Sequence, residues 1–407
     1  MRVAVVAEWY PSPGDPVLGI WAHRQALAAR DAGADVRVLA LRRPIPPLSV
    51  VRQLFHVPPA IGAFGDWIAG ARTSLRPTTL DGLDVMPVPY VAPPRPISYG
   101  SWGYWMAPAL GRALERLYDG WRFDVLHAHN LAPAGHGAAR WVRRRSGSAR
   151  PALVVSAHGP DMIHVAVRSA IGRRACVAAM SAADLVMANS TWAARRCEAI
   201  AGRSLPVRVV HLGADIPPSR PPRNGRTRIV TVAHLVSRKR HDVVLRAIAR
   251  LEPAQRPDYL VIGDGPRREP LQRLAGQLGV ADRVRFLGQL PNPEAVAQAA
   301  GCDLFVMPGV EEPFGVAFVE AMAAGLAAVG SRGEGGPEDI AAAGPGMLLV
   351  EPGDPDALAS VIARLAADQE ELRRLGTAAR ETVAANFTWA RCGAETVAGY
   401  RAAIDAR

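Results

Sequence analysis

Lysine is almost missing from this 407-residue chain: of 48 basic residues, Lys239 is the one lysine and the rest are arginine. Cysteine is scarce as well. Cys176, Cys197, Cys302 and Cys392 are widely scattered with no paired spacing, which excludes a disulfide framework and a zinc knuckle and fits a reducing cytoplasm. Long hydrophobic runs are absent, and no stretch approaches the roughly 20 uninterrupted apolar residues of a spanning helix, so the composition excludes a transmembrane protein. The apolar run Val3 to Ala7 meets Glu8 after five residues, too short for the core of a secretory signal, and reads as a first strand. With 49% hydrophobic and 21% charged residues, the chain is neither disordered nor fibrous.

What is present is positive charge, unevenly placed. The net charge is +11; residues 1–210 hold 25 arginines against 13 acidic residues, and residues 211–407 hold 23 basic against 24 acidic. A cationic first half favours an anionic partner: nucleic acid, the anionic face of a membrane, or a phosphorylated substrate. Codon bias toward GC accounts for the arginine-to-lysine ratio equally well, but not for the imbalance between halves.

The length predicts two or three domains. Short Val/Leu/Ile runs recur at 3–7, 35–41, 124–127, 153–157, 185–188 and 207–211, then at 228–232, 259–263, 284–287, 304–307, 327–329 and 346–350. They are continuous rather than alternating, as parallel strands buried on both faces are. Helical patterns fall between them, at 22–32, 242–251, 266–278 and 318–324, so each half reads as α/β with a doubly wound sheet. The expected organisation is a Rossmann-like domain at 1–215, a proline-rich linker at 216–226, a second such domain at 227–386, and a tail helix at 387–407 crossing back to the first domain. Two stretches break the rhythm, Arg43 to Ala63 and Pro89 to Pro108, both rich in proline and large apolar residues. They read as covering loops, an acceptor pocket or a membrane-contact surface.

The densest cluster of chemistry runs from Pro308 to Gly325, between a strand and a helix. Glu312 and Glu320 bracket a turn at Gly315, whose backbone N–H groups and helix N-terminus can accept an anion. Carboxylates accept hydrogen bonds from sugar hydroxyls, so the arrangement suits a phosphate-bearing sugar ligand. Lys239 lies in a second loop, His234-Leu235-Val236-Ser237-Arg238-Lys239-Arg240, just past a strand. A compact ammonium on a flexible stem can follow a phosphate oxygen as charge develops on it. His127 and His129 form an H-x-H pair without a third ligand at metal spacing, and no D-x-D stands in a suitable loop, so no metal is expected. Gly263-Asp264-Gly265 lacks the third glycine of a dinucleotide fingerprint and reads as a turn near a nucleotide base.

In these residues the chain resembles the retaining glycosyltransferases of family 4, which have the GT-B architecture. The likeness lies in Glu312-Pro313-Phe314-Gly315-Val316 with Glu320 following, against the family's E-G-F-G-L-x-x-x-E, and extends through Ala128-His129-Asn130, Ala157-His158-Gly159-Pro160-Asp161 and Ser331 to Glu338. The resemblance implies two doubly wound domains facing a cleft, a nucleotide diphosphate sugar as donor substrate rather than a cofactor, and a hydroxyl acceptor. It implies that Glu312 with Phe314, Gly315 and Val316 holds the donor sugar and diphosphate, and that Glu320 holds the ribose. Members usually read V-G-R-L-x-x-x-K-G-x-D around Lys239, the Arg and Lys neutralising the diphosphate; here His234 replaces the Arg, and Arg238 or Arg240 takes its part. Gly19 matches the glycine-rich loop after the first strand, and His158 matches a histidine close to the reacting sugar, with Asp161 as an orienting or acceptor-side group.

The expected activity is therefore retaining, metal-independent hexosyl transfer in the cytoplasm, with catalysis through His158, Lys239 and Glu312. Peripheral attachment to anionic lipid is one use of the basic half. The alternatives are a nucleotide-sugar epimerase or hydrolase of the same fold and, from another class, a basic nucleic-acid-binding protein; the latter has no reading motif here, so no nucleic-acid partner is expected.

Overall fold

The computed structural model describes residues 1–12, 15–45, 68–147, 150–218 and 225–407. Gly14, most of the stretch from Arg43 to Ala63, and residues 219–224 of the proline-rich segment lie outside the described residues.

The described chain divides into two compact units. The first comprises Met1–Asn189, Ala193–Val210 and Cys392–Arg407; the second comprises Ser190–Trp192 and His211–Arg391. Strands of the first are β1 (Arg2–Ala7), β2 (Asp35–Arg42), β3 (Thr78–Leu80), β4 (Leu83–Pro89), β5 (Val125–His129), β6 (Ala152–Ala157), β7 (Leu185–Ala188) and β8 (Val207–Val209). They form one sheet in the order β3-β4-β2-β1-β5-β6-β7-β8, parallel except for β3. The second unit has β9 (Arg228–Val232), β10 (Asp258–Ile262), β11 (Val284–Gly288), β12 (Leu304–Val306), β13 (Ala327–Ser331) and β14 (Met347–Val350), all parallel, in the order β11-β10-β9-β12-β13-β14.

Helices on both faces explain why the strands read as unbroken apolar runs. Every residue from Val3 to Ala7 is sealed from solvent between β2 and β5, with Val3 level with Val36 on one side and Val125 on the other. Burying one such Val or Leu side chain contributes about 1.5–3 kcal/mol. In the second unit Ile229, Leu304, Val306 and Val329 meet Val244, Ile248, Leu358 and Ile362 from the covering helices in one core.

Two features differ from the sequence reading. The hairpin β3–β4 was not anticipated, because Pro87 and Pro89 interrupt its pattern. Its signal was local: Asp81 and Gly82, both at positive φ, make the Asp-Gly turn that suits a two-residue hairpin. The aromatic stretch after Pro89 is a loop only at its start. Trp102–Gly120 is a helix, burying Trp102, Met106, Leu110, Leu114 and Leu117 along one stripe while Tyr104 and Trp105 stay 46% and 52% exposed.

The last helix, Trp389–Asp405, is tied to the first unit from Cys392 onward. Gly393 lies so near Ala28 that a Cβ there would stand 2.1 Å from the Ala28 carbonyl oxygen. Gln25 Nε2 donates to Thr396 Oγ1 at 3.0 Å, and the Tyr400 hydroxyl meets His127 Nδ1 at 2.8 Å.

Candidate functional site

In a doubly wound sheet, ligands gather at the carboxyl ends of the two strands from which the chain departs in opposite directions. In the second unit those strands are β9 and β12, since β10 and β11 lie on one side and β13 and β14 on the other. The loop after β9 delivers Lys239 and the loop after β12 delivers Glu312, so residues 73 apart in sequence meet because their strands are neighbours.

Each loop is shaped by backbone chemistry. Ser237–Lys239 forms a tight turn that ends at Arg240 with φ 54°, a left-handed conformation rarely taken by a residue with a side chain, before the helix His241–Arg250 begins. Glu311 adopts the same conformation in the facing loop. Val310 N donates to the Arg238 carbonyl at 2.7 Å, and Glu312 N donates to Glu334 Oε2 at 2.8 Å. Between these anchors Lys239 Nζ donates to the Glu312 carboxylate, with the two residues only 9% and 6% exposed. Arg238 Nη1 stands 3.7 Å from the same carboxylate and donates to the Glu311 carbonyl at 3.3 Å. Burial pushes the Lys239 ammonium below the usual lysine range, and Arg238 pushes the same way, while Glu312 opposes both. Removing one partner of a buried pair strands the other charge, at about 3–5 kcal/mol.

Of the two arginines that sequence left open, Arg238 is the one brought to the pair. Arg240 instead reaches Asp242 at 3.5 Å and lies against Gly353. His234 is exposed, its Nδ1 3.1 Å from the Asp264 carbonyl at the loop after β10, and is not joined to the Lys239–Glu312 pair.

Gly315 starts the helix Val316–Ala323 with φ 79°; a Cβ there would press on the Phe318 ring at 2.7 Å. The first turn holds no acidic residue and no side-chain cap; Phe318 N donates to the Gly315 carbonyl at 2.9 Å, which leaves the N–H groups of Val316 and Ala317 and the positive end of the helix dipole to an anion. Glu320 sits one turn further along the helix and accepts from Asn292 Nδ2 at 3.0 Å. The Phe314 side chain is turned inward, 1% exposed and stacked on His211 at 5.6 Å, so its contribution to a ligand is through the backbone it places. Sequence reasoning missed the support beneath this turn. Gly336 touches Phe314 so closely that a Cβ would stand 1.7 Å from its carbonyl oxygen, and His211 Nε2 meets Asp339 at 2.9 Å; the adjacent Gly335-Gly336 was the available signal.

In the first unit the switch lies between β1 and β5. Gly19, at φ 71°, begins the helix Ile20–Asp31 where a Cβ would collide with the Trp9 carbonyl at 2.1 Å. His158 ends β6 and is 9% exposed; its Nε2 shares a hydrogen bond with His129 Nδ1 at 2.9 Å, the rings stacked within 8° of parallel. Burial holds His158 at about 4, neutral at physiological pH. Asp161 accepts from the backbone N–H groups of Leu131, Gly159 and Met162, which makes it the tie between the loops after β5 and β6. Glu8, at the end of β1, accepts from the Tyr99 hydroxyl at 2.6 Å and faces Arg95 at 3.4 Å, a cluster that the sequence reading did not single out.

Among the described residues, no group of three or more His, Cys, Asp or Glu side chains could hold a metal ion, and no helix is long and apolar enough to cross a membrane.

Two doubly wound, parallel-sheet α/β units are the architecture of the GT-B fold, and solved structures of that fold superpose over nearly the whole chain. Sucrose-phosphate synthase from Thermosynechococcus elongatus does so with a TM-score of 0.76 at 19% identity, covering 98% of both chains. HepE of Anabaena, in complex with UDP and glucose, gives 0.70 at 20% identity, covering 98% of this chain and 99% of that one. Residues 18–217 match the family model Glycosyltransferase Family 4, and residues 214–382 match Glycosyl transferases group 1. The GDP-mannose-dependent alpha-(1-6)-phosphatidylinositol monomannoside mannosyltransferase of Mycolicibacterium smegmatis is 31% identical over 316 residues, 69% of this chain and 80% of that protein. D-inositol 3-phosphate glycosyltransferase 1 of Catenulispora acidiphila is 32% identical over 364 residues, 80% of this chain and 82% of that protein. The chain belongs to the family 4, group 1 glycosyltransferases.

Proposed function

We propose that this glycosyltransferase moves a hexosyl group from a nucleoside diphosphate donor to a hydroxyl acceptor with retention of anomeric configuration and without a bound metal ion. The observation that carries the reading is the buried Lys239–Glu312 pair, with Arg238 beside it, at the Gly315 turn. A diphosphate takes the two cations and the free N–H groups of the helix start; Glu312, released from part of its attraction to Lys239, accepts from sugar hydroxyls. Glu320 accepts from the ribose. His158 hydrogen-bonds a substrate hydroxyl from the first unit, which holds the acceptor.

In this mechanism the acceptor oxygen bonds to the anomeric carbon on the face from which the diphosphate departs. The bond from that carbon to the phosphate oxygen breaks, and a phosphate oxygen takes the acceptor's proton. The protein contributes position and pre-organised charge, Lys239 and Arg238 supplying the neutralisation that a divalent ion would otherwise give. A polyol or saccharide hydroxyl is the proposed acceptor class, in keeping with the names of the relatives.

A thermal-shift panel of nucleoside diphosphates and their sugars, headed by GDP-mannose and UDP-glucose, identifies the donor; a ligand at 100 times its Kd stabilises by about 2.7 kcal/mol. The product made with EDTA present is then examined by NMR. An α-linked product from an α-linked donor is expected. An inverted product would overturn retention, loss of turnover restored by Mg²⁺ would overturn metal independence, and free sugar as the sole product would make the chain a hydrolase.

A further inference from the structure

Outside the donor-side pair, the deepest concentration of titratable groups is a run of histidines across β5 and β6. His127 is saturated: its Nδ1 meets the Tyr400 hydroxyl at 2.8 Å and its Nε2 meets Ser156 Oγ at 2.7 Å. His129 and His158 have only each other. Beyond their shared contact of 2.9 Å, His129 Nε2 and His158 Nδ1 are buried with no hydrogen-bond partner in the chain. The Asp161 carboxylate is turned to three backbone N–H groups, and Asn189 reaches the His158 carbonyl rather than its ring.

We propose that His129 is a positioning residue for His158: the hydrogen bond between His129 Nδ1 and His158 Nε2 decides which nitrogen of His158 carries its proton, and so makes its unpartnered Nδ1 a donor to the substrate hydroxyl. Two neutral imidazoles joined by one hydrogen bond share one proton across it, and the second proton must sit on the outer nitrogen of whichever ring accepts. Burial keeps both rings neutral, His129 well below the usual histidine range and His158 at about 4. The direction follows from exposure. Both outer nitrogens are sealed in the free chain, so whichever carries the second proton needs a partner from a ligand, and His158, 9% exposed against 1% for His129, is the ring that a ligand can reach. His129 therefore keeps the lone pair on its sealed Nε2 and donates from Nδ1, which leaves His158 with its proton on Nδ1. The proposal rests on the reading that His158 touches substrate.

The tautomer is observable without any substrate. In protein labelled with ¹⁵N-histidine, long-range ¹H–¹⁵N correlations are expected to show His158 protonated at Nδ1; protonation at Nε2 in the unaltered protein overturns the proposal. His129→Asn places an amide N–H near the lost Nδ1 and is expected to keep the Nδ1–H form, while His129→Leu frees His158 Nε2 and is expected to give a tautomer mixture. In hydrolysis of whichever of GDP-mannose or UDP-glucose the panel selects, the leucine variant is expected to lose kcat roughly tenfold, the worth of about one hydrogen bond, with KM within twofold. The asparagine variant should stay within twofold on both. An unchanged tautomer in the leucine variant, or equal losses in the two variants, overturns the positioning role. His158→Ala separates the two readings: full turnover in that variant removes His158 from the substrate but leaves the tautomer measurement to decide the pairing on its own.

Discussion

The two units share a doubly wound topology and place opposite chemistry at the same topological point. At the β9/β12 switch of the second unit stand full charges, Lys239 against Glu312 with Arg238 close by. Near the β1/β5 switch of the first, His127, His129 and His158 are buried and uncharged at neutral pH, although this unit carries most of the net positive charge. Of those arginines Arg95 reaches the end of β1, facing Glu8 at 3.4 Å, whereas the imidazoles at the ends of β5 and β6 carry no charge. A site built of charges answers to a partner whose charge changes during reaction; a site built of neutral imidazoles answers to hydroxyls that need donors and acceptors in fixed directions.

The largest test of that contrast is Lys239→Ala. Turnover is expected to fall about a hundredfold or more, since one pre-organised charge-stabilising donor is worth ~2.7–4 kcal/mol, and near-normal turnover at saturating donor would end the assignment. Lys239→Arg sharpens it: a silent exchange means charge alone matters, whereas lost turnover with an intact fold means that the compact ammonium matters.

Acid should separate the units by a smaller margin. A histidine whose folded-state value lies below its unfolded one binds its proton preferentially in the unfolded chain. Its stabilisation is thus complete above about 6.5 and is lost as pH falls toward the folded value. With His127 at about 3 and His158 at about 4, each costs the first unit about 2 kcal/mol by pH 5. Glu8 and Asp161, pushed up by burial, bind protons in the folded state and offset part of this. The second unit has His241 alone at about 4 among the described residues. Hydrogen exchange at pH 7 and pH 5 should show protection falling further in β5 and β6 than in β9 and β10; equal losses would erase the distinction.

Gly336→Ala is expected to destabilise the second unit by about 1–3 kcal/mol, because the added methyl has no room beside the Phe314 carbonyl. Gly333→Ala, with nothing within 4 Å of the new Cβ but φ 76°, isolates backbone strain as the comparison. Equal melting temperatures for Gly336→Ala and the parent would show that the turn is not packed as described. The smallest effect is Tyr400→Phe, which deletes one hydrogen bond to His127 and should cost about 1 kcal/mol in thermal unfolding.

Much of this could be read from local pattern. Runs such as Val3 to Ala7 announce buried parallel strands because burial on both faces demands an apolar residue at every position, and that demand leaves its mark within a few residues. Gly19 and Gly315 were visible for a similar reason, each the turn between a strand and the helix that follows. The hairpin at Asp81-Gly82 had its turn signal too, masked by nearby prolines. Glu312 and Lys239 were singled out one at a time, by the motif around the first and the rarity of the second.

Their pairing was not legible, nor was that of His129 with His158, nor the choice of Arg238 over Arg240. Those depend on which strands become neighbours and in what register. Val125↔Ala152 through His129↔Ser156 brings His158, two residues past Ser156, just beyond the end of β5, and β9 beside β12 brings two remote loops to one carboxylate. The amino-acid sequence by itself determined the elements, the turns and the chemical types available, since propensity and amphipathic pattern act over a few residues. Only the tertiary structure decided which cation meets which carboxylate and which imidazole faces which, because those contacts are chosen by sheet order, a property of the assembled core rather than of any one segment.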